Sequence, residues 1–208
     1  MNATMNKSNE DYFFELLAKI KTQYDESEIQ KQKHYYSLTS TRLEKGVPLI
    51  VGFNWGYSKD YNHTPQSIYP TGLFKDIESE DLGSLKRTIP YFNEYFQEGL
   101  NAVQTNICFF RSPRQHDIYP DDVKLCLPIF NELVSFLNPS AMISFTKSIL
   151  DYIEVDQTGD KIKMIKSGSR NISAIKSTYD SVPFYYLPHP NYPCTREARN
   201  EVWNYCFR

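Results

Sequence analysis

Apolar residues recur along this chain in two patterns, and each pattern predicts a different kind of element. Apolar residues at helical spacing, with polar residues between them, predict helices over residues 11–20, 84–96, 121–137 and 147–155. A last helix is predicted to follow the capping residue Thr195 and to run to about residue 205. Short apolar runs rich in β-branched and aromatic residues predict buried strands at 47–53, 101–109, 141–146 and 182–187.

Strands that alternate with helices are typical of an α/β fold with a mostly parallel sheet. We therefore predict three α/β/α layers around a central, mostly parallel four-stranded sheet, formed by residues 47–208. Residues 1–46 are predicted to be an N-terminal helical segment that packs on this core. Residues 156–181 are polar and rich in turn-forming residues, and a hairpin around Thr158 and Gly159 is one arrangement that they allow.

Composition and charge narrow the classes of function. The 208 residues carry 23 Lys and Arg against 25 Asp and Glu, which argues against a protein that coats DNA by general basic charge, although a local basic groove stays open. No apolar run is long enough to span a membrane, and the polar start of the chain shows no secretory signal. The four cysteines lack the spacing of zinc or iron–sulfur ligands. We expect a cytoplasmic monomer that contacts no membrane and needs no metal or cofactor.

Polar residues lie at or near the ends of three predicted strands, where open α/β sheets bind ligands. Asn54 stands between Gly52 and Gly56, and glycines there allow a ligand close to the backbone or a positive φ. Asn106 lies inside an otherwise apolar strand, and His189 lies between two prolines. Each residue also has a structural explanation: a turn for Asn54, a backbone-bonded amide for Asn106, and a capping or structural role for His189.

In their order along the chain, these residues resemble the motifs of the uracil-DNA glycosylase superfamily. The likeness is to its single-strand-selective monofunctional members, whose first motif is Gly-Met-Asn-Pro-Gly; residues 52–56 here read Gly-Phe-Asn-Trp-Gly. Residues 70–74, Pro-Thr-Gly-Leu-Phe, resemble the segment that supplies the ring stacked on uracil. Asn106 resembles the asparagine that reads the base, and residues 189–191, His-Pro-Asn, resemble the His-Pro-Ser motif.

The resemblance implies an enzyme that hydrolyses the N-glycosidic bond of uracil or a related damaged base in DNA, after the base has left its stack. It implies that Asn54 positions the attacking water and that His189 stabilises the negative charge that grows near O2 of the base. Asn106 would pair with the edge of the base and reject cytosine. Four aromatic residues would contact the base: Phe53, Trp55, Phe74 and, as the alternative to Phe74, Tyr69.

Two departures from the family motifs leave another function open. Trp55 replaces a proline beside the expected water position, and Asn191 replaces a serine. A protein of the same fold that binds a nucleobase, nucleotide or DNA without cleavage is therefore the alternative. The motifs contain no lysine that could form a Schiff base, so cleavage would be hydrolytic. An unrelated α/β hydrolase is disfavoured because the chain lacks a Gly-x-Ser-x-Gly elbow and a phosphate-binding glycine loop.

Basic residues concentrate in the last third of the chain. Between Lys161 and Tyr179 there are five basic residues and no acidic one. Such a segment can follow a phosphate backbone, although a solvated lysine-rich surface is the alternative. Two arginines at the start of the last helix oppose the helix dipole, which favours a phosphate partner. We therefore expect uracil-containing DNA, single- or double-stranded, to contact Lys163, Lys166, Arg170, Asn191, Arg196 and Arg199.

Overall fold

The computed structural model describes residues 7–32, 34–56, 64–78, 80–96 and 100–208. In these residues the chain forms four α-helices, which are α1 (Asn9–Glu26), α2 (Ile89–Tyr95), α3 (Pro120–Leu137) and α4 (Arg196–Phe207). It forms six strands, which are β1 (Leu49–Trp55), β2 (Val103–Arg111), β3 (Met142–Ser144), β4 (Ile162–Ser167), β5 (Arg170–Tyr179) and β6 (Val182–Tyr186).

The six strands form one sheet in the order β2-β1-β3-β6-β5-β4. The neighbours β2, β1, β3 and β6 are parallel, whereas β5 is antiparallel to both β6 and β4. The prediction of a mostly parallel sheet is confirmed, and the prediction of four strands is wrong. The four parallel strands are those that the apolar runs indicate, and three of them, β1, β2 and β3, are largely buried on both faces, as continuously apolar strands are.

The two missed strands, β4 and β5, form a hairpin in the segment that was predicted to consist of turns. A loop of two residues joins them, since Ser167 pairs with Arg170. Gly168 has a φ of 61°, the positive value that the first position of a type II′ turn requires. The suggested hairpin at Thr158 and Gly159 is wrong, because only a short 3-10 turn begins there. Exposed lysines at the edge strand β4 interrupt its apolar pattern, which hid the strand.

Helices cover both faces of the sheet. On one face α1 and α3 enclose a core in which Phe13 and Leu16 are buried together with Leu49 of β1. On the other face α2 and α4 enclose a second core, which contains Ile50 of β1 and Trp203. The alternation of neighbouring β1 residues between the two cores gives three layers. The helix before β1 thus belongs to the same packed structure as the sheet.

The helix boundaries follow local signals, with two differences from the prediction. The predicted helix before β2 is split into a 3-10 helix, Gly83–Thr88, and α2, and Pro90 lies in the first turn of α2, where its missing N–H costs no helical hydrogen bond. The predicted helix after β3 is only a 3-10 helix, Lys147–Asp151. Ser8 and Thr195 cap α1 and α4, each accepting a backbone N–H with its side-chain oxygen.

Candidate functional site

A cavity of about 180 Å³ lies at the carboxyl edge of the parallel strands. Its lining combines residues of β1 and β2 with residues that follow β3 and β6. The chain places β2 on one side of β1 and β3 on the other, and α/β sheets open a crevice for ligands at such a point. Asn54, Asn106 and His189, which the sequence singles out, all line this cavity.

Asn106 brings a buried amide to the cavity. Its side chain is 6% exposed and makes no hydrogen bond with any residue in the described part of the chain. In the described residues only Oγ of Ser177 is a fully buried side-chain polar atom without a partner, so the amide of Asn106 still reaches solvent. The amide is therefore available to a ligand with complementary polar groups, and the backbone-bonded explanation of Asn106 does not hold.

Gly52 makes room for Asn106. The two residues are register partners on the neighbouring strands β1 and β2. A Cβ atom on Gly52 would lie 2.1 Å from Oδ1 of Asn106, far inside van der Waals contact. Gly52 is not among the residues with positive φ, so no turn requires this glycine. The space that the side chain of Asn106 occupies therefore explains why the first residue of the motif, residue 52, is a glycine.

Asn54 lies at the end of β1, where a β-bulge interrupts the pairing with β2. The register moves from the pair Asn54–Cys108 to the pair Trp55–Arg111, and such bulges re-aim side chains. The Nδ2–H of Asn54 donates to the Trp55 carbonyl over 3.0 Å, and its Oδ1 has no partner within the described chain. Trp55 lines a second cavity instead, and its Nε1–H donates to the Ser37 carbonyl. The indole therefore does not narrow the cavity that Asn54 lines.

His189 lies at the mouth of the cavity and is partly exposed. The backbone N–H of Asn191 donates to its Nδ1 over 3.1 Å, so Nδ1 is an acceptor and Nε2 carries the hydrogen. Nε2 lies 3.3 Å from Oγ of Ser84. Partial burial and then the positive charge of Arg199 lower the pKa of His189 below its ordinary value of 6.5. At neutral pH the imidazole is therefore an uncharged Nε2–H donor.

The aromatic residues at the cavity differ from those expected. Phe53 lines it, although its ring packs into the core that α1 and α3 cover. Phe74 does not line it, because its ring is 3% exposed and packs in the core near α2. Tyr69 does not line it either, since its ring packs edge-on against Phe13 of α1. Phe145, directly after β3, lines the cavity, and its ring, 5% exposed, packs in the same core as that of Phe74.

The sequence reasoning did not identify three groups of residues that line the cavity. Phe145 and Thr146 follow β3 at the same sheet edge as the motif residues, so the positional rule that found those residues predicts these two as well. Gln104 lies two residues before Asn106 and thus on the same face of β2. Ser84 comes from the 3-10 helix before α2, and no sequence signal brings that helix to the cavity.

The β4–β5 hairpin brings part of the expected DNA-contacting surface to the start of α4. The backbone N–H of Thr195 donates to Oγ of Ser167 over 2.8 Å, which joins the hairpin tip to the N-terminus of α4. Because β4 runs parallel to β6, this tip lies at the same edge of the sheet as the cavity. Three basic residues at this junction are exposed, namely Lys166, Arg170 and Arg196.

The other expected DNA contacts already have partners within the chain. Arg199 donates Nη2–H to the Tyr192 carbonyl over 2.8 Å, which ties α4 to the loop that carries the histidine. Nζ of Lys163 lies 3.6 Å from a carboxylate oxygen of Glu201. Asn191 contributes its backbone N–H to the imidazole. These three residues therefore hold the surface together, in addition to any contact with phosphate.

The described residues contain no cluster of His, Cys, Asp and Glu side chains that could hold a metal ion. No helix in those residues is both long and apolar enough to cross a membrane. No model of a known protein family matches this chain, and no curated protein matches it. The function has to be argued from the geometry of the cavity and from the motif resemblance.

Proposed function

We propose that this chain is a monofunctional, uracil-DNA glycosylase-like enzyme that hydrolyses the N-glycosidic bond of uracil or a related damaged base in DNA. One observation carries the proposal: Asn54, Asn106 and His189, from distant parts of the chain, line a single cavity. At about 180 Å³ this cavity is below the size of sites for drug-sized ligands, and it suits one planar ring.

The polar atoms of Asn54 and His189 suit the two partners in the reaction, which are the attacking water and the departing base. Hydrolysis joins a water oxygen to C1′ of the sugar and breaks the bond to the base, whose nitrogen keeps the electron pair. His189 Nε2–H donates to a carbonyl oxygen of the base, where the negative charge spreads. Asn54 holds the attacking water through its unpartnered Oδ1. An amide has no useful pKa, so it orients the water, and solvent takes the proton.

Asn106 selects the base. Its amide offers one donor group and one acceptor, which complement the carbonyl and N–H on the edge of uracil. Cytosine presents the opposite pattern, so an amide that keeps its orientation in the cavity leaves polar groups unpaired against it, and polar sites reject such mismatches strongly. Phe145 gives the base an aromatic neighbour in the cavity, the role for which Phe74 and Tyr69 were expected.

The DNA backbone is held at the junction of the hairpin tip and α4. Lys166, Arg170 and Arg196 are exposed there, on the same sheet edge as the cavity. Cations near a helix N-terminus oppose its dipole, and phosphate relieves that unfavourable interaction.

The two motif departures that favoured binding without cleavage do not concern the reacting groups. Trp55 lines the second cavity, and Asn191 supports the imidazole through its backbone N–H, which any residue except proline supplies. Both observations support the hydrolytic function over the binding-only alternative.

The test is release of uracil from labelled single- and double-stranded oligonucleotides that contain one uracil each. We expect release by the parent and a loss of about 10²–10³-fold in rate for His189→Ala, the typical effect of removing one charge-stabilising donor. Asn54→Ala should also lose most of the activity. His116→Ala and Asn200→Ala are the controls, because both side chains are exposed and neither residue lines the cavity. A folded parent that releases no base from any of these strands would refute uracil as the base that is removed.

A further inference from the structure

The small cavity cannot enclose a whole nucleotide. Its volume of about 180 Å³ is below the roughly 300 Å³ at which cavities begin to enclose drug-sized ligands. A base that enters it leaves its sugar and phosphates outside. The protein surface around the mouth of the cavity must therefore receive the neighbouring part of the nucleic acid strand to which the base is attached.

A second cavity, of about 800 Å³, adjoins the first. Gln104 lines both cavities, and the consecutive residues Gly83 and Ser84 line the second and the first respectively. Oε1 of Gln104 accepts a hydrogen bond from Oγ of Ser40 over 3.1 Å, which holds Gln104 at the boundary. A ligand with one ring in the small cavity reaches the larger one by passing this boundary.

Trp55 supplies a fixed aromatic ring to the second cavity. Its Nε1–H donates to the Ser37 carbonyl, and Nη2 of Arg111 donates to Oγ of the same serine over 2.8 Å. Ser37 therefore holds the indole and the guanidinium close together. Trp55 is only half-buried, whereas Trp203, the other tryptophan, is 2% exposed and packed in the core. Flat rings of this kind are the surfaces on which proteins stack unpaired bases.

The charges of the second cavity point to stacking as the source of affinity. Asp81 lines it as well as Arg111, so their opposite charges limit its attraction for phosphate. We propose that the second cavity binds the nucleotide adjacent to the one whose base enters the small cavity, with the adjacent base stacked on Trp55. This inference rests on the proposed function, because it takes the small cavity as the base site.

The experiment uses free uracil and the two dinucleotides of 2′-deoxyuridine and thymidine, one for each order. In a Trp203→Phe background Trp55 is the only tryptophan, and its emission is recorded by stopped flow before base release. Should that variant not fold, the difference between the emission spectra of the parent and of Trp55→Phe gives the emission of Trp55. We expect a dinucleotide, but not uracil, to quench Trp55. We also expect Trp55→Ala to raise the ratio of dinucleotide Kd to uracil Kd by about 5- to 150-fold, the usual effect of losing one stacked base.

Two variants show whether the ring itself is responsible. Trp55→Phe keeps an aromatic ring and should lose less affinity than Trp55→Ala, while Tyr119→Ala removes an exposed ring elsewhere and should change nothing. Uracil release with no response of Trp55 to either dinucleotide would overturn this inference and leave the proposed function standing. A Trp55-dependent affinity for dinucleotides without any uracil release would support the subsite and refute the hydrolysis of uracil.

Discussion

A single methyl group added at Gly52 tests the link between the first motif and Asn106. In Gly52→Ala the new Cβ would lie 2.1 Å from Oδ1 of Asn106, whereas ordinary van der Waals contact begins at 3.4 Å. The next nearest atoms are Cγ of Asn106, at 3.3 Å, and the Thr105 carbonyl oxygen, which lies 3.9 Å away. The tip of the Asn106 side chain is therefore the group that must move, by roughly 1 Å, a displacement large enough to impair an active site.

The expected cost to stability is small, and the expected cost to function is large. Turning the Asn106 amide away from a preferred rotamer costs about 0.5–1.5 kcal/mol. The same movement takes both amide groups out of hydrogen-bond range of a base held in the cavity. Two hydrogen bonds of about 1 kcal/mol each correspond to a roughly 30-fold loss of affinity. Gly52→Ala should thus resemble Asn106→Ala in base release while remaining folded.

A double-mutant cycle measured by urea unfolding separates this explanation from a general effect of the methyl group. In an Asn106→Ala background the clash is absent, so Gly52→Ala should lose its cost of about 0.5–1.5 kcal/mol. Gly56→Ala is the control, because a Cβ there meets nothing within 4 Å and we expect no destabilisation. An equal cost of Gly52→Ala in both backgrounds, or undiminished base release in the single variant, would refute the reasoning.

Three further predictions concern the histidine and the basic surface. Removal of a like charge in Arg199→Ala should raise the pKa of His189, which an NMR titration measures. Protonation of Nδ1 breaks the hydrogen bond that it accepts from the Asn191 N–H and that orients the ring, so on lowering the pH the variant should lose base release at a higher pH than the parent. Asn191→Ala keeps the backbone N–H that bonds Nδ1 and should retain most base release in the oligonucleotide assay. Arg170→Ala should reduce the slope of log binding constant against log salt concentration by about 0.7–0.9, and Lys163→Ala by less, because its ammonium already has a carboxylate 3.6 Å away.

The parallel part of the sheet could be predicted from the sequence, whereas the hairpin could not. β1, β2 and β3 are largely buried on both faces, and their apolar runs show this directly. β6 is only partly buried, but its five residues are likewise apolar or aromatic. β4 forms the sheet edge, where lysines on its exposed positions interrupt the apolar pattern. The turn signal at Gly168 was present, but it competes with other turn-forming residues nearby. Edge hairpins are therefore hard to distinguish from loops when their apolar side is short.

The polar residues of the candidate site could be predicted, but most of their neighbours could not. Asn54, Asn106 and His189 are recognisable because each is a polar residue in or beside a buried strand. Phe74 was expected to stack on the base from motif order alone, and order does not show which core a ring enters. Ser84 reaches the cavity through a 3-10 helix whose position depends on tertiary packing.

For two of the motif residues, Asn54 and His189, the structural explanation and the functional explanation are compatible. Asn54 uses its Nδ2–H on the Trp55 carbonyl and leaves Oδ1 available. His189 accepts a backbone N–H at Nδ1, which leaves the hydrogen on Nε2. In each case the fold fixes one end of the side chain, so the other end has a defined direction before a ligand binds. Such preorganised polar groups are the condition for effective electrostatic stabilisation. Asn106 lacks such a bond, and its position depends instead on the space that Gly52 leaves open.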